Sequence, residues 1–248
     1  MRLLIINPNI SNSVTDLIEA EARRTAAPDT QIQMATAQTG VAYIETRFEA
    51  LLGGHAAAVI AGERLGSYDA VLVAAFGDPG LLALKEVLDV PVVGMTEAAL
   101  MTAAQLGQRI SIIAISGRIT TWYRECVAQN GMLDRLASIR HLDRPLRDAG
   151  SVQQDHAERL LELSHLAVNE DGADVLILAG APLAGLARGL AGQLPVPVVD
   201  GVSCGVAQAQ LLHGLQAGPA RQGSFARPPT KPNQGLQPGL QALLTQPL

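Results

Sequence analysis

Val71-Leu-Val-Ala-Ala-Phe-Gly-Asp-Pro79 is echoed, a little over 100 residues later, by Val175-Leu-Ile-Leu-Ala-Gly-Ala-Pro182. Each is an unbroken aliphatic run that ends in a loop of small residues, glycine and proline. A strand with one solvated face alternates apolar and polar residues. An unbroken run of this length fits a strand buried on both faces of a parallel sheet. Two further pairs repeat at nearly the same offset and in the same order. Val90-Pro-Val-Val-Gly-Met95 matches Val196-Pro-Val-Val-Asp-Gly201, and Leu3–Asn9 matches Ile110–Ser116 less closely. A common offset in a common order predicts two similar halves related by a pseudo-twofold axis.

Outward from these runs, the candidate strands are Leu3–Ile6, Val71–Ala75, Val92–Gly94, Ile110–Ile115, Val175–Ala179 and Val196–Val199. Amphipathic stretches lie between them, among them Ser13–Thr25, Ala98–Leu106, Thr121–Gln129 and Gln153–Asn169. Ser13 is the expected N-cap of the first. Strand–helix alternation predicts an α/β fold with mainly parallel sheets covered by helices. The first lobe is placed at 1–98 plus a C-terminal helix near 206–215, and the second at 99–205. Residues 216–248 are rich in proline, glycine and polar side chains. Such a tail cannot fold alone, so it is expected to be mobile or laid along a neighbour.

Composition narrows the function classes. The 248 residues are 48% hydrophobic and 17% charged, enough for a large core and too apolar for general disorder. Aromatics are 3%, so that core must be aliphatic. A net charge of −5 with scattered basic residues argues against nucleic-acid or membrane partners. Two cysteines, Cys126 and Cys204, make no disulfide framework and are expected to pack in the interior. No apolar run reaches membrane-spanning length, and Leu3–Ile6 is too short for a signal peptide. The chain is expected in the cytoplasm.

In open parallel sheets, ligands sit beyond the carboxyl ends of the strands. That rule selects the loops carrying Asn9 and Ser11, then Ala75, Phe76 and Gly77, then Thr96, then Ser116 and Thr120, then Gly180, Ala181 and Pro182. They offer amides, hydroxyls and small residues at helix starts, groups that hold acceptor-rich small ligands. Two acids stand out. Asp78 lies in a Gly-Asp-Pro-Gly turn, and Glu45 follows Tyr43 at a predicted helix start. The five histidines show no ligand spacing, and there is no GxGxxG or phosphate-loop lysine. No metal or nucleotide cofactor is indicated.

Several of these segments together resemble the hydantoin/allantoin racemases of the aspartate/glutamate racemase superfamily. They are Ile6-Asn7-Pro8-Asn9, Tyr43-Ile44-Glu45, Ala75-Phe76-Gly77-Asp78-Pro79-Gly80, Val92-Val93-Gly94 with Glu97-Ala98-Ala99, Trp122-Tyr123-Arg124 and Val198-Val199-Asp200-Gly201. The tail around Gly223–Ala226 and Lys231-Pro232 is similar too. The resemblance implies two Rossmann-like lobes, an active site in the cleft between them, no cofactor, a small-molecule substrate and a homo-oligomer. It also implies two catalytic thiols, one per lobe, that would fall at positions 75 and 180. This chain has alanine and glycine there.

The loss of both thiols sets the functional expectation. Glu45 and Asp78 become the candidate catalytic carboxylates, since burial in a partly apolar cleft can tune such groups into general bases. Tyr43 and the loop residues above become the substrate-binding set. The leading expectation is cysteine-independent hydrolysis of a hydantoin-type ring, by desulfuration at a thioxo carbon or by amide cleavage. The alternatives are a racemase, isomerase or decarboxylase in which the carboxylates replace the thiols, and a binding protein without catalysis.

Overall fold

The computed structural model describes residues 1–143 and 148–246. The chain runs β1 (Arg2–Asn7), α1 (Asn12–Thr25), β2 (Gln31–Thr36), α2 (Arg47–Glu63), β3 (Ala70–Val73), α3 (Leu81–Val87), β4 (Val92–Gly94) and α4 (Met95–Leu106). The second half follows with β5 (Ile110–Ala114), α5 (Thr120–Gln129), β6 (Leu136–His141), α6 (Val152–Asp155), α7 (Ala157–Asn169), β7 (Val175–Leu178), α8 (Leu186–Gly189), β8 (Val198–Asp200) and α9 (Gly201–Leu215). A last helix, α10, spans Pro238–Thr245.

Two all-parallel, four-stranded sheets result, ordered β2-β1-β3-β4 and β6-β5-β7-β8. The strand order is the same in both, so the repeated sequence is a repeated structure. The central strands are the unbroken aliphatic runs. In β1, β3, β5 and β7 nearly every residue is buried, because helices cover both sheet faces. The halves also exchange helices. Helix α4 leaves the first sheet and packs on β7 and β8, while α9 leaves the second and packs on β3 and β4; the two helices pack on each other.

The structure adjusts several sequence expectations. Strands β2 and β6 are additional. Both are edge strands with half-exposed residues, and their mixed polarity hides them from a search for buried runs. The strand predicted over Val71–Ala75 closes at Val73. Ala74 donates the last ladder bond to Ile6 O at 2.8 Å, and Ala75 O already accepts Asp78 N in the next turn. Helix α1 is capped by Ser11, whose Oγ accepts Val14 N at 3.3 Å, and not by Ser13. The helix expected over Gln153–Asn169 is interrupted at His156. The tail does not leave its own chain: α10 packs on α2, with Gly62 and Gly239 so close that a Cβ at 62 would lie 2.0 Å from Gly239 O. Among the described residues no helix is long and apolar enough to cross a membrane.

Candidate active site

The first loop is a hydrogen-bonded scaffold. Asn7, at the end of β1, is fully buried and donates through Nδ2 to Thr15 Oγ1 (2.9 Å), Ser11 O (3.1 Å) and Asn9 Oδ1 (3.2 Å). Asn9 Oδ1 in turn accepts Ser11 N at 2.9 Å. The oxygens of Asn9 and Ser11 are therefore spent on the turn and on the α1 cap. The Asn9 Nδ2 donors have no partner among the described residues and are open to a ligand.

The second loop is pinned from below. Thr96 is fully buried, and its Oγ1 accepts Gly77 N at 2.6 Å. Asp78 accepts Thr96 N at 2.7 Å through one oxygen and Glu97 N at 2.9 Å through the other. Those amides open α4, whose own N-cap is Gly94 and has no side chain to bond them. Asp78 thus supplies the missing cap from a neighbouring loop, where helix amides favour negative charge. Gly94 is required for this approach: a Cβ there would lie 2.3 Å from Asp78 Cγ. Burial pushes the Asp78 carboxyl up to about 7, although the two amides pull the other way. With both oxygens engaged, Asp78 holds the loop in place. That is a positioning role, beside the catalytic one the sequence suggested.

Glu45 has a different setting. Its backbone N–H donates to Glu49 Oε2 at 2.8 Å, beside the capping box that Thr46 and Glu49 form at the start of α2. Among the described residues its carboxylate has no hydrogen-bond or ion-pair partner. Tyr43 and Ile44 pack on the core and hold this segment down. Beyond Glu45, Arg47 reaches from α2 to α5 and pairs with Glu125, its Nε 3.0 Å from Glu125 Oε2.

The second-lobe loops are built alike. Ser116 Oγ accepts Arg118 N at 3.2 Å, and Thr120 Oγ1 donates to Gly117 O at 2.9 Å. The Thr120 proton is committed to the turn, whereas Ser116 only accepts there and keeps its own proton to donate. The Gly180–Ala181–Pro182 loop is tied down by Gln153, whose Nε2 donates to Pro182 O at 3.0 Å and Ala184 O at 2.9 Å. Gly180 holds φ +108°, a backbone conformation that L side chains rarely adopt.

Aromatic residues join the two sides. The face of α5 that carries Trp122, Tyr123 and Cys126 packs on the second loop of the first lobe. A Cβ at Gly77 would strike Trp122 at 2.2 Å, and Phe76 meets Tyr123 with ring centroids 4.6 Å apart. Cys126 Sγ is 3.9 Å from Gly77 O, and burial pushes its thiol up to about 12, so it stays neutral packing. A Cβ at Gly180 would lie 3.9 Å from the Tyr123 hydroxyl. Gln153 was not singled out from the sequence as a site residue, and Tyr123 was quoted only within the Trp122-Tyr123-Arg124 resemblance and not placed in the candidate set. The available signal was scarcity: in a chain with one Trp, three Tyr and three Phe, two aromatics stand side by side at 122 and 123.

The Asp/Glu/hydantoin racemase family model matches residues 3–209. The chain is 38% identical over 240 residues to the hydantoin racemase of Paenarthrobacter aurescens, covering 93% of this chain and 99% of that one. It is similar to the structure of allantoin racemase from Klebsiella pneumoniae, with a TM-score of 0.91, 33% identity and coverage of 99% and 100%. The allantoin racemase from Pseudomonas fluorescens gives a TM-score of 0.89 at 32% identity, over 95% of this chain and 100% of that one. These relatives overturn the hydrolytic expectation. Neither desulfuration nor amide cleavage, nor assignment as a hydrolase or lyase, agrees with relatives named for racemisation. The expectation had treated the missing thiols as a change of reaction, whereas the whole-chain likeness points to a racemase or isomerase.

Proposed function

We propose, because the chain belongs to the Asp/Glu/hydantoin racemase family, that it moves a proton at the α-carbon of a hydantoin-type ring and inverts that carbon. The observation that carries this reading is a Glu45 carboxylate with no hydrogen-bond or ion-pair partner among the described residues, in a molecule that overlays an allantoin racemase along almost its whole length. Positions 75 and 180 carry no thiol, so a different group must take the proton. Asp78 is engaged with α4; Glu45 is not.

The chemistry needs little more. The α-proton of such a ring is acidified by the adjacent carbonyl. A positioned carboxylate removes it, and the C–H electron pair moves into that carbonyl as an enolate. The loops at Asn9, Ala75–Gly77 and Gly180–Pro182 hold the ring, with the Asn9 amide available to its acceptor atoms. The paired rings of Phe76 and Tyr123 form one wall for the ring to lie against. The substrate class rests on the printed names of the relatives and is part of the proposal.

The test uses single enantiomers of 5-substituted hydantoins, allantoin among them, in deuterated water. Inversion with α-deuterium incorporation and no other change in composition is the expected result. Glu45→Gln lowers both by at least about 100-fold, the usual worth of a general base. Loss of sulfur or gain of water by any substrate, without α-exchange, would overturn the reading.

A further inference from the structure

Inversion needs a second group on the other face of the ring. The second-lobe loop offers no side chain at Gly180, and its φ of +108° disfavours one. The Tyr123 phenol reaches this place from α5. Its hydroxyl lies 3.9 Å from where a Cβ of residue 180 would stand. Its ring is locked between Phe76, at 4.6 Å, and Trp122, at 5.8 Å between centroids. The residue is 2% exposed, and among the described residues its hydroxyl has no hydrogen-bond partner. Its oxygen is not sealed in the interior: part of the residue's small exposure lies on it, so the hydroxyl is open to a ligand. Resting on the racemase reading above, we propose that Tyr123 is the second catalytic residue, delivering a proton to the face of the ring opposite Glu45.

The step balances. Glu45 takes the α-proton and becomes a neutral carboxylic acid, while the C–H pair forms the enolate. The enolate pair then makes a new C–H bond with the Tyr123 proton, leaving a phenolate. Solvent carries the Glu45 proton back to the phenolate. Substrate and product have one composition and opposite configuration. Burial above all, then proximity to Cys126, Asp78 and Glu45, pushes the phenol pKa far above its ordinary value. The phenol therefore rests protonated, and the Glu45 carboxylate starts the reaction on the enantiomer whose α-hydrogen faces it; the other enantiomer runs the same steps in reverse, the phenolate taking its α-proton once solvent has moved the phenol proton to Glu45. The two faces become unequal. On the enantiomer whose α-hydrogen faces Glu45, the acid formed can trade its proton with water and return deuterium to the same face. Such exchange with retention needs no tyrosine.

Tyr123→Phe separates the two steps and keeps the ring that packs on Phe76. The experiment follows both enantiomers of a 5-substituted hydantoin in deuterated water, reading α-deuterium by NMR and inversion by chiral chromatography. Wild type is expected to exchange and invert. Tyr123→Phe, melting within a few degrees of wild type, is expected to lose inversion by about 100-fold or more while still exchanging one enantiomer with retention. Glu45→Gln loses both. Wild-type inversion by Tyr123→Phe overturns the proposal. Equal loss of inversion and exchange overturns it too, since the phenol would then bind substrate and not protonate it. No exchange by wild type on any ring would overturn the racemase reading itself, an outcome distinct from either.

Discussion

At the residue scale, Asp78 shows how a motif can be legible while its task is not. The Gly77-Asp78-Pro79-Gly80 turn marked a special loop in the sequence, and an acid in it suggested a base. What the sequence could not show is that the N-terminus of α4 comes to the same place with a glycine for its cap. Asp78 and Gly94 are one device, because the carboxylate fills the space a Cβ would occupy. Asp78→Ala leaves two helix amides without acceptors and should cost about 1–3 kcal/mol. Gly94→Ala forces Cβ against Asp78 Cγ and should cost a similar amount. The costs should not add: in the Asp78→Ala background the Gly94→Ala penalty should fall, because the Asp78 atoms it strikes are gone and only Leu81 Cδ2, at 2.6 Å, stands in the way. Chemical denaturation of the two single variants and the double variant measures this. Additive costs would mean that Gly94 is needed for some other reason.

At the element scale, the aliphatic strands were readable because burial on both faces leaves no polar alternation. The edge strands β2 and β6 were not, since their residues answer to solvent as much as to the core. Helix starts were not readable even where the cap is local: α1 is capped by Ser11 and not by the expected Ser13, and α9 starts at Gly201 and not near 206. Helix α9 has such a cap: Asp200 Oδ1 accepts Val202 N and Ser203 N, both at 3.0 Å. Its other oxygen lies 2.8 Å from Ser203 Oγ, which is also 2.7 Å from Glu21 Oε1. One hydroxyl proton cannot serve two carboxylates. For Glu21, burial acts upward, yet the hydrogen bonds from Ser203 and Arg188 outweigh it and hold its pKa below the ordinary value. Asp200 is raised, chiefly by burial. A raised acid contributes stability that is complete below its unfolded pKa and is lost as pH climbs through the folded one. Asp200→Asn keeps the cap and does not titrate. Its melting temperature should match wild type at low pH and exceed it by a widening margin as pH rises past the ordinary carboxylate range. A margin that narrows with rising pH would show that Asp200 is ionised in the native protein at all working pH.

At the scale of the whole molecule, the repeat announced the two-sheet plan, but not how the halves are tied. They are tied by exchanged helices, by Arg188 Nε on Glu21 Oε1 at 2.7 Å, and by Arg47 on Glu125. The tail adds a tie of another kind, confined to the first half. Its composition gave no sign of one, because its anchors are sparse. They are Leu243, 3% exposed, Arg227 paired with Asp89 at 2.7 Å, and Gln246 Nε2 donating to Val87 O at 3.2 Å. Their position decides what removing them does. Gly62, where α10 seats, lies at the far end of a 17-residue helix whose other end follows Glu45. That is about 25 Å away at 1.5 Å per residue. A chain ending at Gln216, the left-handed cap of α9, keeps every loop that forms the site. It loses one buried leucine, worth about 1.5–3 kcal/mol, and an ion pair whose arginine is largely buried, worth about 1–2 kcal/mol. For a chain of this size, that lowers the melting temperature by roughly 5–15 °C. Exchange and inversion of substrate below the new transition should stay within about twofold of the full chain. If inversion disappears while the truncated chain still melts cooperatively, the tail reaches the cleft, and α10 is more than an anchor for α2.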